Sequence, residues 1–228
     1  MVAGVDEQIE RRAAVHAALG EPVRLAVVEQ LAGSDRAPSV LAAEFGLTGN
    51  LLAHHLDVLE RVGLIERRIS SGDRRRRYVR LRTEALDELP IARHPRRGRA
   101  LFVCTHNSAR SQLAAALWRH RTGGDATSAG THPAEDVHPG AVSAAARAGL
   151  DLDGARPRAL EDGDLDADVI VTVCDRAHEE LHAPARWLHW SIPDPVDAGT
   201  ERAFDAALHD IDRRITAIAA IDEETRTA

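Results

Sequence analysis

Residues 100–112 read Ala100-Leu101-Phe102-Val103-Cys104-Thr105-His106-Asn107-Ser108-Ala109-Arg110-Ser111-Gln112. The apolar run Ala100–Val103 has the length and composition of a strand covered on both faces. A polar loop follows at once, and the pattern then predicts a helix over roughly Ser111–His120. A loop curling at a helix N-terminus turns successive backbone N–H groups inward and makes a cavity for a tetrahedral oxyanion. Thr105, His106, Asn107, Ser108, Ala109 and Arg110 are the candidates to line it. Arg110 stands six residues after Cys104, far enough to fold back and hold two anion oxygens with its planar fork. The same positive field favours a thiolate, which makes Cys104 the candidate nucleophile. Ser111 is placed to donate a hydrogen bond to that sulfur, and Asn107, mid-loop, to hold the loop's shape rather than touch a substrate. A cysteine that merely follows a strand is ordinarily a buried small residue. The asparagine, arginine and serine at these offsets set Cys104 apart from that class.

Downstream, Val169–Val173 is a second β-branched run suited to a covered parallel strand, and Pro139–Ala148 is alanine-rich and helical. Residues 201–221 form a closing amphipathic helix with Phe204, Leu208, Ile211, Ile215 and Ile218 on one face. Strands alternating with helices predict an α/β sandwich around a central parallel sheet.

Upstream of residue 98 the pattern differs. Residues 8–31 read as helix, with Ile9, Ala13, Val15, Ala18 and Leu19 ahead of Leu25, Val28 and Leu31, broken near Gly20 and Pro22. Pro38 suits the first turn of a short helix, Ser39–Phe45, which Gly46 closes. Thr48 or Asn50 caps the next, running to about Val62 with Leu51, Leu52, Leu56 and Leu59 inward. Leu64–Ile69 and Tyr78–Arg82 are strand candidates joined by Ser70-Ser71-Gly72-Asp73, a turn sequence. Helix, short helix, turn, helix and hairpin is the order of an α+β winged helix-turn-helix. Residues 84–97 read as a last short helix and linker. The expected division is a winged domain over 1–88, a linker over 89–98 and a catalytic domain over 99–228.

Charge divides the same way. Residues 1–97 carry 16 Arg against 14 Asp and Glu, whereas 98–228 carry 13 Arg against 22, and the chain has no lysine. Nine of those arginines and only two acids fall between Arg61 and Arg82. That density beside a helix-turn-helix is what phosphate neutralisation on DNA requires; a solvated charge run is the plain alternative. Only two cysteines occur, Cys104 and Cys174, which argues against a secreted disulfide scaffold. No apolar run approaches the roughly 18 residues of a membrane span, and the amino terminus lacks a signal pattern, so a cytoplasmic, membrane-free protein is expected.

Ala18-Leu19-Gly20-Glu21-Pro22-Val23-Arg24-Leu25 and His54-His55-Leu56-Asp57-Val58-Leu59-Glu60-Arg61-Val62-Gly63-Leu64-Ile65 resemble the arsenical-resistance repressor family of winged-helix regulators. The resemblance implies a homodimer, through this domain, on a double-stranded DNA operator. It implies groove contacts from Asn50, His54 and His55, and wing contacts from Arg74, Arg75, Arg76 and Arg77. Residues 1–97 contain no cysteine, so the metalloid-binding thiolates of many such repressors are missing, and no metal site is expected.

Residues 99–221 resemble the low-molecular-weight protein tyrosine phosphatases and the related thiol-linked arsenate reductases. Besides the cysteine loop, the likeness lies in Ser128-Ala129-Gly130-Thr131, Val137-His138-Pro139 and His189-Trp190-Ser191-Ile192-Pro193-Asp194-Pro195. It implies an arsenate- or phosphate-type oxyanion substrate and assigns Asp194 the general-acid role. His106, Gln112 and His189-Trp190 lean towards reductases; Cys174-Asp175-Arg176 resembles a phosphatase segment. A reductase needs a second thiol, from Cys174 or from an external donor such as mycothiol with mycoredoxin or the thioredoxin system, and no bound cofactor. Three readings stay open: a regulator fused to an arsenate reductase, a phosphatase tethered to a DNA-binding domain, and an oxyanion-sensing repressor without turnover.

Overall fold

The computed structural model describes residues 7–82 and 98–225. They fall into two compact units: one holds residues up to 69 and from 76, and the other holds Ser70–Arg75 and the chain from 98 onward. The expected short helix at 84–97 and the linker at 89–98 lie, apart from Gly98, outside the described residues.

The first unit begins with α1 (Glu7–Leu19) and α2 (Pro22–Gly33). Glu21 caps α2 by accepting from the amides of Val23 and Arg24, and Pro22, which has no N–H to leave unpaired, opens it. α3 (Pro38–Glu44) starts the same way on Pro38. Thr48 caps α4 (Gly49–Arg61) through the Leu51 amide. Gly63, at φ 77°, turns the chain into β1 (Ile65–Ile69), which pairs antiparallel with β2 (Arg77–Leu81) from Ile65 opposite Leu81 to Ile69 opposite Arg77. Arg36 bridges Val79 and extends this ribbon by one residue. Val27, Leu41, Leu52, Leu56, Leu59 and Leu64 form the core.

Three apolar positions depart from the sequence expectation: Leu51 is 46% exposed, Ile9 52% and Leu25 36%. On α4 the buried stripe is Leu52, His55, Leu56 and Leu59, and Leu51, about 100° round the helix from Leu52, points away from it. α1 buries only Val15 and Ala18.

The second unit is built on a four-stranded sheet in the order β4 (Ala126–Gly130), β3 (Ala100–Cys104), β5 (Val169–Thr172) and β6 (Leu188–His189), every pair parallel. Every residue of β3 and β5 is buried, as continuous apolar runs in a covered parallel sheet must be. α5 (Arg110–Thr122) packs on β3, β4 and the long closing helix α9 (Glu201–Thr225), and α6 (Pro139–Arg147) also packs on α9. α7 (Asp175–Glu180) and α8 (Pro195–Ala198) follow β5 and β6. The parallel sheet therefore delivers the end of β3, the start of α5 and the segments after β5 and β6 to its carboxyl end. Among the described residues, no helix is long and apolar enough to cross a membrane.

All three tryptophans, Trp118, Trp187 and Trp190, are buried in this second unit, so their fluorescence reports its unfolding alone. Ile211, fully buried on α9, is expected on truncation to alanine to cost about 2–4 kcal/mol. Urea unfolding followed by tryptophan emission should show that loss as an earlier midpoint with an unchanged slope.

Candidate active site

Cys104 closes β3, and the loop to Arg110 folds around its sulfur. Its shape comes from where its carbonyls go. Cys104 O accepts from Thr131 N, Thr105 O from His132 N, His106 O from Ala134 N, and Ser108 O from His138 N, at 3.2, 2.8, 3.0 and 2.8 Å. With no cis peptide among the described residues, each outward carbonyl turns the following amide the opposite way. The Asn107 amide donates to Cys104 Sγ at 3.2 Å. Ala109 gives α5 no side-chain cap, so the helix presents its N-terminal amides and dipole to the same space. The loop's carbonyls thus point outward, and the Asn107 amide and the start of α5 face the Cys104 sulfur.

Gly130, at the end of β4, permits this packing. A methyl group there would lie 2.8 Å from Thr105 O and 3.0 Å from the Asn107 side chain, too close for either to stay in place.

Around the sulfur, Ser111 Oγ lies 3.1 Å from Cys104 Sγ, and Asn107 Nδ2 donates to Ser111 Oγ at 2.8 Å. Asn107 is fully buried and sits at φ 49° in the left-handed region, and its backbone amide and side chain reach Cys104 and Ser111 from beneath the loop. Arg110 is 5% exposed, with one guanidinium nitrogen donating to Ile192 O at 3.0 Å and the other paired with Asp194 Oδ2. Burial alone would weaken its charge, but the sulfurs of Cys174 and Cys104 and the carboxylates of Asp194 and Asp175 raise its pKa. Asp194 caps α8 through the Val196 amide. Cys104, Arg110, Ser111 and Asp194 therefore meet at the carboxyl end of the sheet.

Cys174 is the N-cap of α7 and is 1% exposed. Its sulfur accepts from Ala177 N at 3.4 Å and lies 3.4 Å from Thr105 Oγ1 on the nucleophile loop. Burial pushes this thiol up, ahead of the downward pull of Arg110, so in this conformation it is a neutral thiol beside the loop.

One buried network escaped the sequence reading. His189 Nε2 donates to Asp175 Oδ1 at 3.1 Å, its Nδ1 lies 3.0 Å from Thr172 Oγ1, and Thr172 Oγ1 also meets His178 Nδ1 at 2.9 Å. The His178 and His189 rings stack at 4.1 Å. The sequence shows His189-Trp190 and Cys174-Asp175-Arg176 as motifs; only the register of β5 beside β6, Thr172 opposite His189, joins them.

In the first unit, Asn50 and His54 are exposed on α4, but His55 is not. Its ring is buried, with Nδ1 3.3 Å from Glu21 Oε2 at the cap of α2. This corrects its expected place among the groove-contact candidates: one residue along a helix from His54 is about 100° round it, here on the core side. Several hairpin arginines are engaged locally: Arg67 with Asp57 and Glu60, and Arg68, Arg80 and Arg82 around Glu66. Arg74, Arg75, Arg76 and Arg77 are exposed, and Arg75 pairs with Asp73.

Comparison with known proteins gives two matches along the chain. Residues 99–227 match the family model of the low molecular weight phosphotyrosine protein phosphatases, and residues 19–68 match a helix-turn-helix domain. The chain is 33% identical over 129 residues to an arsenate reductase of Halalkalibacterium halodurans, covering 52% of this chain and 92% of that one. It is 34% identical over 122 residues to arsenate reductase 1 of Bacillus cereus, covering 50% and 88%. The fold is shared with the YwlE arginine phosphatase of Geobacillus stearothermophilus, at a TM-score of 0.50 and 24% identity, over 57% of this chain and 96% of that one.

Burial alone would raise the Asp175 carboxyl, but hydrogen bonds, chiefly from His189, hold it down at about 2 against an ordinary 3.8. A lowered folded-state pKa contributes stability that is present above the ordinary value and lost as pH falls through the folded one. Asp175→Asn is therefore expected to destabilise the second unit by about 2 kcal/mol at pH 7. The difference should shrink as pH falls below about 4 and vanish near 2, in urea melts followed by tryptophan emission across that range.

Proposed function

Through residues 99–227 the chain belongs to the low molecular weight phosphotyrosine protein phosphatase family, and on that premise we propose that its second unit reduces arsenate while its first binds operator DNA. The likeness to arsenate reductases, which spans most of those proteins' length, carries the reading. The surroundings of the loop support it. Between residues 98 and 225 every tryptophan and phenylalanine is buried, and the chain's single tyrosine, Tyr78, is buried in the first unit. Among the described residues no exposed Trp, Tyr or Phe ring is available there to stack on a tyrosyl leaving group, whereas a small inorganic oxyanion needs none.

In the proposed reaction the Cys104 thiolate attacks arsenic(V) held by the loop amides and Arg110. A sulfur–arsenic bond forms as an arsenate oxygen departs as water, with Asp194 supplying its proton. A second thiolate then attacks Cys104 Sγ. The sulfur–sulfur bond forms, the sulfur–arsenic bond breaks, and its electron pair stays on arsenic, which leaves as arsenite. The buried, neutral Cys174 at the cap of α7 favours an external thiol as this second nucleophile. Hydrolysis of a phosphoryl group is the second reading, favoured by the same cradle with a carboxylate, Asp194, beside Arg110.

For the first unit the proposal is a homodimer that places α4 in successive major grooves, with Asn50 and His54 at the bases and Arg74–Arg77 on phosphates.

Purified protein given arsenate and a low-molecular-weight thiol is expected to release arsenite in a single turnover, and Cys104→Ser to release none. No arsenite, together with Cys104-dependent hydrolysis of an aryl phosphate, would replace the reductase with a phosphatase. For DNA, Arg77→Ala should weaken binding to specific and random duplexes alike. Its plot of log affinity against log salt should be shallower by about one; an unchanged slope would remove Arg77 from the phosphate contacts.

A further inference from the structure

Gln112, in the first turn of α5, is 6% exposed and takes no part in the chemistry above. Its side-chain nitrogen lies 3.1 Å from Asn107 O, 3.2 Å from Asn107 Oδ1 and 3.2 Å from Arg156 O. All three are acceptors. Two are backbone carbonyls, and Asn107 Oδ1 is identified as an oxygen because the Arg158 amide donates to it at 2.9 Å. Gln112 must therefore present its NH2 group here, with two hydrogens shared among three oxygens.

That arrangement has a direction. With Oδ1 taken by two donors, Asn107 turns Nδ2 to Ser111 Oγ, and a hydroxyl that receives this hydrogen has its own left for Cys104 Sγ. The backbone of the same Asn107, left-handed at φ 49°, brings its amide to the same sulfur. Both hydrogen bonds to the nucleophile thus pass through one residue, and Gln112 grips that residue by its carbonyl and by its side chain.

We propose that Gln112 is a positioning residue for the nucleophile, acting through Asn107 to aim the Ser111 hydroxyl and the Asn107 amide at Cys104 and to keep the oxyanion cradle open. The proposal rests on the reading of Cys104 as nucleophile and is indifferent to whether arsenic or phosphorus is attacked. Without the NH2 group, the Asn107 carbonyl and carboxamide are free to turn, and the sulfur loses the donors that stabilise its charge.

The test uses the full chain and two readouts independent of turnover: the rate of iodoacetamide alkylation of Cys104, followed by peptide mass, and its protection by inorganic phosphate. Gln112→Met keeps the length and removes the donors. It is expected to slow alkylation and weaken phosphate protection each on the order of tenfold, with a thermal midpoint within a few degrees of the parent. In an Asn107→Ala background the same substitution should add nothing, because the residue it acts through is gone. Parental alkylation and protection in Gln112→Met, or a full tenfold effect persisting beside Asn107→Ala, would overturn the proposal. Should Gln112→Met fail to fold, Gln112→Asn, whose shorter amide cannot span the same oxygens, carries the same expectations. Failure to find arsenite in the turnover experiment leaves this proposal standing. Alkylation of Cys104 that is insensitive to phosphate in the parent protein removes both it and the nucleophile reading.

Discussion

Four carbonyls of the loop that starts at Cys104 face away from its sulfur, each held by an amide from residues 131–138, and the candidate site depends on that arrangement. A short loop between a strand and a helix has no intrinsic reason to point its amides one way. Here the chain after β4 supplies a row of donors, so the loop satisfies its acceptors on the outside and is left with donors on the inside. The parallel pairing of β3 with β4 places that row, with Cys104 opposite Gly130, and the absence of a side chain at Gly130 lets the two segments close. The inward set of the loop amides is in this sense a property of the sheet register as much as of the loop.

The loop and the order of elements were legible in the sequence because both are local. An apolar run, a polar turn and a helix start are adjacent residues, and cysteine, asparagine, arginine and serine at short offsets have few ways to be arranged. The winged unit was legible for similar reasons: Pro22, Pro38, Thr48 and Gly63 each act within a residue or two of where they stand. What escaped was long-range. Asp175 and His189 are 14 residues apart and Gln112 and Arg156 44, and nothing in either neighbourhood announces the partner. His55 shows the limit inside one helix: adjacent histidines look alike as letters, and only the cap of α2 decides which is buried against Glu21.

Arg110 has two demands on it. One side of its guanidinium is fixed by Ile192 O and the other is paired with Asp194, so a bound oxyanion must compete with that carboxylate for the fork. In the proposed reaction this competition links binding to chemistry. Before an anion arrives, the Asp194 pair neutralises a buried cation that would otherwise be costly. In that reaction, an anion that takes over the fork would free the Asp194 carboxylate, which has to take up a proton from the anion or from water before it can pass one to the oxygen that leaves. Ile192 and Asp194 flank Pro193 in the segment after β6, so the carbonyl that anchors Arg110 and the carboxylate that pairs with it sit on one short piece of chain.

Cys174 is the harder part of the site to bring into the reaction. To attack the Cys104 sulfur it must give up the Ala177 amide it caps and the Thr105 hydroxyl it touches, lose a proton that burial holds on it, and approach a sulfur already ringed by donors. Losing the cap costs helix stability, about 1 kcal/mol for an ordinary side-chain cap. α7 is short and is also tied to the sheet through Asp175 and His189. An external thiol breaks no helix cap and arrives with its own pKa, so the buried Cys104 sulfur itself is the one obstacle it shares with Cys174. Under the proposed reduction the labour would therefore be divided: the chain would supply the first thiol from the loop after β3, and the second would come more readily from outside unless α7 opens.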